Sequence, residues 1–546
     1  MEPAVLPVLK TFSRAAALAY VGLIDRLGRP PPIIWIPATV VAAALVLPPA
    51  YLMLRATGAG GEAWEVLFRV RILEILVRTF LLIGAVTGAS ILLAVPLAWL
   101  TVRTDLPMRR VWSVATALPL VIPSYVGGLI VVVALGPRGM LQQFLDNLWG
   151  VERLPDIYGF PGALLTLTFL SYPYVLLTVR AALMRMDPAL EEASRGLGRS
   201  SRATFFRVIL PLLRPSIAGG SLLVALYTLS DFGAVSLLRY ETFTWAIFLQ
   251  YDSALDRTLA ATMSLALVAI ALGIVAAETL TRGRARYFRS DPGATGPGGR
   301  VRLGRWTWPA LAFCAAVTII SLALPLSILG YWVVRGLAAG EQLPSLWILT
   351  RNSLFVSALA AGVAVIAALP IASLSVRYPS FFSTLLERTA YIGFALPGIA
   401  IALALVFFGA NYAPPLYQTM ALLILAYVLL FLSPAVGATR TSLLQVNPRI
   451  EDAARGLGRT PQRVLASVTV PLVRPGIMAG AALVFLLTMK ELPATLILSP
   501  IGFNTLATSI WSAASEAYFA RAAAPALLLI GVSSIPLAFL MLRERR

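Results

Sequence analysis

From Pro30 to Leu54 the chain runs without a charged side chain, and apolar stretches of similar length recur along it, separated by short clusters of arginine. A helix needs roughly 20 apolar residues to cross about 30 Å of hydrocarbon. In that solvent every backbone N–H and C=O must find a partner inside the segment, so the runs predict spanning helices and exclude open sheets. They fall at 30–54, 79–102, 111–135, 160–180, 215–238, 258–280, 308–334, 352–376, 389–410, 417–439, 475–498 and 521–542. The ninth and tenth form one charge-free run, divided at Pro414 and Pro415, where two prolines end a helix and Asn411 favours a turn. The fold class is therefore an all-α polytopic membrane protein of about twelve transmembrane helices.

Composition agrees. Hydrophobic residues make up 59% of the chain and charged residues 13%, against about a quarter charged in soluble domains. The net charge of +19 is carried mostly by clusters between apolar runs, the distribution of cytoplasm-facing loops, so membrane lipids and not nucleic acid are the expected surroundings. Both termini are predicted to be cytoplasmic. Lys10, Arg14, Arg26 and Arg29 precede the first run, whose length suits a retained span better than a cleaved leader. Arg55, Arg69, Arg71 and Arg78 crowd the first outer loop, where an amphipathic helix on the membrane surface is expected. Histidine is absent, the only lysines are Lys10 and Lys490, and the single cysteine is Cys314. A disulfide within the chain, a histidine-based metal site and histidine general-base catalysis are excluded; no metal site is expected, and a membrane-embedded enzyme would need convergent titratable groups that the spans lack.

One polar stretch occurs twice. Aligned without a gap 260 residues apart, Asp187–Gly220 and Asn447–Gly480 share Glu191/Glu451, Ala193/Ala453, all of Arg-Gly-Leu-Gly-Arg, Pro211/Pro471 and the pairs Arg214-Pro215 and Arg474-Pro475. Six spans intervene, an even number, so both copies face one side and the two six-helix halves are parallel repeats. The halves are read as 1–280 and 308–546, joined by a cytoplasmic linker over 281–307 that is rich in Arg, Gly and Pro and expected to be a passive tether.

Each copy opens on Asp187-Pro188 or Asn447-Pro448, the order of an N-cap followed by proline at the first helical position, with carboxylates next at the positive helix end. Gly196 and Gly198, like Gly456 and Gly458, permit a sharp turn or a close backbone approach. A second amphipathic segment then leads to the proline that begins the next span. Such a helix-turn-helix across the cytoplasmic face presents a knob to a partner; the bland alternative, a basic loop obeying only charge bias, does not explain matched glycines and prolines in two copies.

Glu192-Ala193-Ser194, Gly198 and Leu210-Pro211, repeated as Asp452-Ala453-Ala454, Gly458 and Val470-Pro471, resemble the EAA loop of permease subunits in bacterial binding-protein-dependent ABC importers. The resemblance implies the type I permease fold of such importers, an inner-membrane location, and EAA loops over 187–215 and 447–475 that serve as coupling helices seated in a groove of a separate ATPase. The implied partners are two ATPase copies and a soluble substrate-binding protein. The implied coupling residues are Glu191, Glu192, Ala193, Arg195, Gly196, Gly198 and Arg199 in one loop, and Glu451, Asp452, Ala453, Arg455, Gly456, Gly458 and Arg459 in the other. Neither lysine follows a glycine, so this chain has no P-loop; it is expected to bind no cofactor and to be no enzyme, with ATP and Mg used by the partner. A proton-driven secondary transporter would share the twelve helices but has no use for the repeated loop. The stretches from Leu229 and Met489 resemble those of fused ferric-iron permeases, which makes iron(III) the expected substrate; similar thiamine permeases come next, and sulfate, molybdate and polyamine permeases share the loop.

Asp231 and Glu491 stand at equivalent repeat positions, each expected inside the span after its loop, in its outer part. Ionisable residues in spans mark cavities or partners, so Asp231, Glu491 and the neighbouring Lys490 are candidates for the translocation path. Lys490 is expected to pair across the interface with Asp231.

Overall fold

The computed structural model describes residues 30–57, 65, 69–137, 139–151, 153–186, 188–252, 257–281, 301–342 and 344–543. The chain's first 29 residues, the cap position Asp187 and most of the linker lie outside these. Eleven helical stretches among the described residues are long and apolar enough to cross a membrane, and Gly398–Tyr412 is a shorter apolar helix. No strand forms among them; Thr104 and Val301 make one isolated bridge.

The apolar runs are helical as expected, but their ends and continuity differ. The expected span 111–135 is a short helix Arg109–Ala115, a 3-10 turn Leu118–Val121 and a helix Ser124–Leu135, because Pro119 and Pro123 each remove a backbone donor. The expected span 389–410 is likewise split, by Pro397, into Phe381–Ala395 and Gly398–Tyr412. The division at Pro414 and Pro415 falls where the sequence predicts it, with a 3-10 turn Pro414–Leu416 between helices. Arg71 and Arg78 belong to no surface helix. They lie in the first turns of the long helix Val70–Arg103, where both pair with Glu241, at 2.7 and 3.2 Å.

Pro215 and Pro475 do not begin their spans. Each lies inside a helix, Leu210–Ser230 or Val470–Lys490, which continues from the polar segment through a π-helical turn, Phe205–Ile209 or Leu465–Thr469. The turn has a local cause: Pro211 and Pro471 have no N–H for the carbonyl four residues back, and the residues before them, Leu210 and Val470, donate instead to the carbonyls of Phe205 and Leu465, five residues back.

The helices group into two compact units. The larger holds 49–355, 395–423 and 489–546, and the smaller holds Val356–Phe394, Ile424–Thr488 and the described residues up to Pro48. In the larger, helices Val70–Arg103, Phe160–Arg185 and Leu210–Ser230 bury Leu82, Val86, Leu97, Tyr172, Val175, Leu176 and Val224 in one core. Gly220 brings two of these helices together: a Cβ there would sit 2.7 Å from the Cα of Val175. In the smaller unit the repeat partner Gly480 plays the same part against Ala435, at 3.0 Å.

Candidate functional site

The two repeated segments fold alike. Pro188–Gly196 and Pro448–Gly456 are nine-residue helices. Asn447 accepts from the Arg449 N–H at 3.0 Å, which satisfies one of the donors a helix start leaves free. Both helices end in the same turn. The Gly198 N–H donates to the Arg195 carbonyl and the Arg199 N–H to the Ser194 carbonyl, at 2.9 and 3.3 Å; Gly458 and Arg459 repeat this on Arg455 and Ala454, at 2.9 and 3.2 Å. This six-to-one and five-to-two pairing needs a left-handed residue between. Gly198 and Gly458 supply it, with φ of +79° and +82°. A new helix then starts at Ser201 or Pro461.

One face of each nine-residue helix is buried and the other is bare. Glu191 and Glu451 are 5% and 3% exposed, and Ser194 and Ala454 are buried beside them. A carboxylate this deep requires a cation, and each has one from the end of the second long helix of its half. Arg103, last residue of Val70–Arg103, places Nη2 3.2 Å from Glu191 Oε1. Arg377, last residue of Leu346–Arg377, donates from Nε and Nη2 to the two Glu451 oxygens at 3.0 and 3.1 Å. The second anchor is the fuller. Both arginines also donate from Nη2 to the carbonyl ahead of the loop, Arg103 to Met186 at 3.4 Å and Arg377 to Val446 at 3.1 Å, but Thr469 Oγ1 donates to Glu451 Oε1 at 3.0 Å where Ile209 occupies the repeat position.

On the bare face stand Glu192, Ala193, Arg195, Gly196, Gly198 and Arg199, with Asp452, Ala453, Gly456, Gly458 and Arg459 in the second copy and Arg455 half-buried. Asp452 pairs with Arg455 at 3.2 Å, and Arg459 donates to the Ser467 hydroxyl at 2.7 Å. The two acids of each segment thus divide: the first holds the helix to its own bundle and the second faces outward. Between the glycines, Leu197 and Leu457 are 80% and 83% exposed, apolar side chains at the tip of each turn.

Residues 87–287 and 360–546 each match the family of binding-protein-dependent transport system inner membrane components. The chain belongs to this family. The permease is 36% identical to the Fe(3+)-transport system permease protein FbpB 2 of Haemophilus influenzae, over 93% of this chain and 97% of the relative. It is 24% identical to the ferric transport system permease protein FbpB of Actinobacillus pleuropneumoniae, over 81% of this chain and 67% of the relative. To the molybdenum transport system permease protein ModB of Escherichia coli it is 33% identical, over only 27% of this chain and 66% of the relative. This is a multi-pass membrane component of a transport system, a fusion of two copies of one domain.

The acids after the repeats do not lie inside spans. Asp231 follows Ser230, the last residue of its helix, with extended backbone at φ −65° and ψ 131°. Its carboxylate accepts from the Ala234 and Val235 N–H groups at 3.0 and 3.2 Å, which caps the short helix Gly233–Leu237. Glu491 repeats this on Ala494 at 3.2 Å, ahead of the helix Pro493–Leu498. Each capped turn packs against the start of the helix after a proline break. Asp231 is bonded by the Ser124 side chain, and Glu491 Oε1 lies 2.6 Å from where a Gly398 Cβ would stand. Lys490 does not take Asp231 as its bonded partner. Its Nζ donates to the Leu120 carbonyl at 2.8 Å, a group left in the 3-10 turn by the neighbouring prolines.

The described end of the linker is bonded to the first half. The Val301 N–H donates to the Arg103 carbonyl at 2.9 Å, the Asp105 N–H to the Val301 carbonyl at 3.3 Å, and the Leu303 N–H to Asp105 Oδ1 at 2.9 Å. The linker therefore grips the residue that holds Glu191. A cut near Gly296 leaves this grip in the second piece, and co-expressed halves are expected to assemble and work. Val301→Pro removes the donor to Arg103, a loss of about 1 kcal/mol, and is expected to lower transport per ATP hydrolysed by roughly fivefold, measured in reconstituted vesicles. Coupling equal to that of the intact chain would make the grip incidental.

Proposed function

We propose that this chain is the membrane-spanning permease of an ATP-driven importer that carries iron(III), received from a soluble binding protein outside, into the bacterial cytoplasm. The two six-helix halves, 1–280 and 308–546, enclose one path, and both termini face the cytoplasm. Two copies of an ATPase subunit, which use ATP and Mg, seat on the bare faces of helices 188–196 and 448–456. The observation that carries the coupling assignment is the anchored geometry of the two loops: each presents an exposed turn tipped by leucine while a buried Arg–Glu pair ties its other face to the bundle. A rigidly held knob transmits the closure of the ATPase pair into movement of the helices, whereas a free loop would absorb it. Iron(III) is supported by the end-to-end likeness to ferric permeases.

The test is ATP hydrolysis by the purified permease–ATPase complex in lipid discs with the cognate binding protein loaded with iron(III), thiamine or molybdate. Stimulation by the iron-loaded protein alone is expected. Stimulation by thiamine or molybdate instead would overturn the substrate.

Asp231, Lys490 and Glu491 belong to the path in this reading. Asp231→Asn with Glu491→Gln keeps an amide oxygen for each capped N–H and removes both charges, so the short helices should survive while uptake falls at least tenfold. Uptake at the wild-type rate by the assembled double variant would leave the acids a capping role only.

A further inference from the structure

The ends of the bundle opposite the coupling loops are built alike in the two halves but finished differently. In the first half the Phe243 N–H donates to Thr79 Oγ1 at 3.0 Å, and in the second the Leu506 N–H donates to Ser353 Oγ at 2.8 Å. Both donors stand at the start of a ten-residue helix, Phe243–Asp252 or Leu506–Ser515. Counted from these matched bonds, Arg78 corresponds to Asn352, Arg71 to Ser345 and Glu241 to Asn504. In the first half the three charged groups close on one another, Arg71 and Arg78 both bonded to Glu241. In the second, Asn352 donates to the Asn504 carbonyl at 2.9 Å, and the two matched positions carry no guanidinium group. The space is an open pocket of about 450 Å³ lined by Asn352, Asn504, Ser509, Ser512, Glu516 and Arg521 among others.

Next to Gly502, which lines the pocket, stands a second difference. Ile501, five residues before Leu506, is 88% exposed, and its counterpart Leu238 is fully buried. Arg521 lies over the Tyr518 ring at 4.9 Å beside the mouth. Amides, hydroxyls and one charge of each sign, set beside Ile348, Leu349 and Tyr518, suit a polar protein loop with some apolar contact better than a metal ion or a lipid tail, and an isolated exposed isoleucine on a turn suits an apolar contact at the edge of such a loop. The position selects the partner. Helix 70–103 holds Glu241 near its start and Glu191 at its end, about 50 Å apart along a 34-residue helix, so these loops lie at the end away from the ATPase face, where a binding-protein-dependent system meets its soluble protein.

We propose that the binding protein docks asymmetrically, with one polar loop seated in the pocket of the second half against Ile501, while the first half offers only a closed, charge-paired surface. The proposal rests on the importer reading for its partner and not on iron as the cargo. Ser512→Trp fills the pocket and Ile501→Asp places a charge beside it; each is expected to raise the binding-protein concentration for half-maximal ATPase stimulation at least tenfold. A second measurement covers variants that assemble poorly. Cys314 is buried, so Ser512→Cys labelled with benzophenone maleimide gives a site-specific probe, and it is expected to cross-link the metal-free binding protein in lipid discs, whether or not iron is the cargo. Unchanged half-saturation in both substitutions, or cross-linking from a Glu241→Cys probe with none from position 512, would overturn the asymmetric socket.

Discussion

Arg377→Ala is expected to abolish binding-protein-stimulated ATP hydrolysis. The substitution leaves Glu451 buried with Thr469 as its remaining side-chain partner among the described residues. An uncompensated buried charge costs about 3–5 kcal/mol, enough to release helix 448–456 from the bundle and weaken a productive ATPase seat more than hundredfold. Arg103→Ala is expected to do the same more mildly, since among the described residues Glu191 is held by a single ion-pair contact at 3.2 Å. Removing both charges, with Arg377→Met and Glu451→Leu, takes away the stranded carboxylate and should restore much of the seat. The checks are the amount of ATPase that copurifies and its stimulated turnover. Full stimulation in Arg377→Ala would show that the anchor is dispensable.

Leu197→Asp combined with Leu457→Asp is the second large effect, on association and not on folding. Both side chains are already exposed, so the change should move stability by less than about 0.5 kcal/mol. Burying each leucine in a partner groove is worth roughly 1.5–3 kcal/mol, and the pair together more than hundredfold in affinity. Normal membrane levels with loss of copurifying ATPase is the expected outcome. Undiminished copurification would place the ATPase contact elsewhere on the loops.

The fold class was legible because hydrocarbon imposes one demand on every span, and hydropathy measures that demand directly. Hydropathy does not see the backbone: the run 111–135 is apolar throughout, yet Pro119 and Pro123 break it, and the carbonyl so released at Leu120 receives Lys490. The same blindness put Asp231 and Glu491 inside spans, when the helices end beside them and each acid caps the short helix after it. The coupling segments were legible through duplication at a constant spacing. Their anchors were not, because Arg103 and Arg377 lie 274 residues apart and fall out of the register of the repeat. The available signal was local: each is the first cation after the second span of its half. Leu197 and Leu457 stand in an identical five-residue match that says nothing of their role, since exposure of an apolar residue is a property of the folded turn.

Uptake of radioactive iron(III) into proteoliposomes that hold this permease with its ATPase, supplied with iron-loaded binding protein outside and ATP inside, tests the central claim most directly. Accumulation that requires ATP and the binding protein, and that disappears in the Leu197→Asp and Leu457→Asp variant, is the predicted result. Iron accumulation without ATP, or at the same rate in that variant, would contradict an importer driven through the two anchored loops.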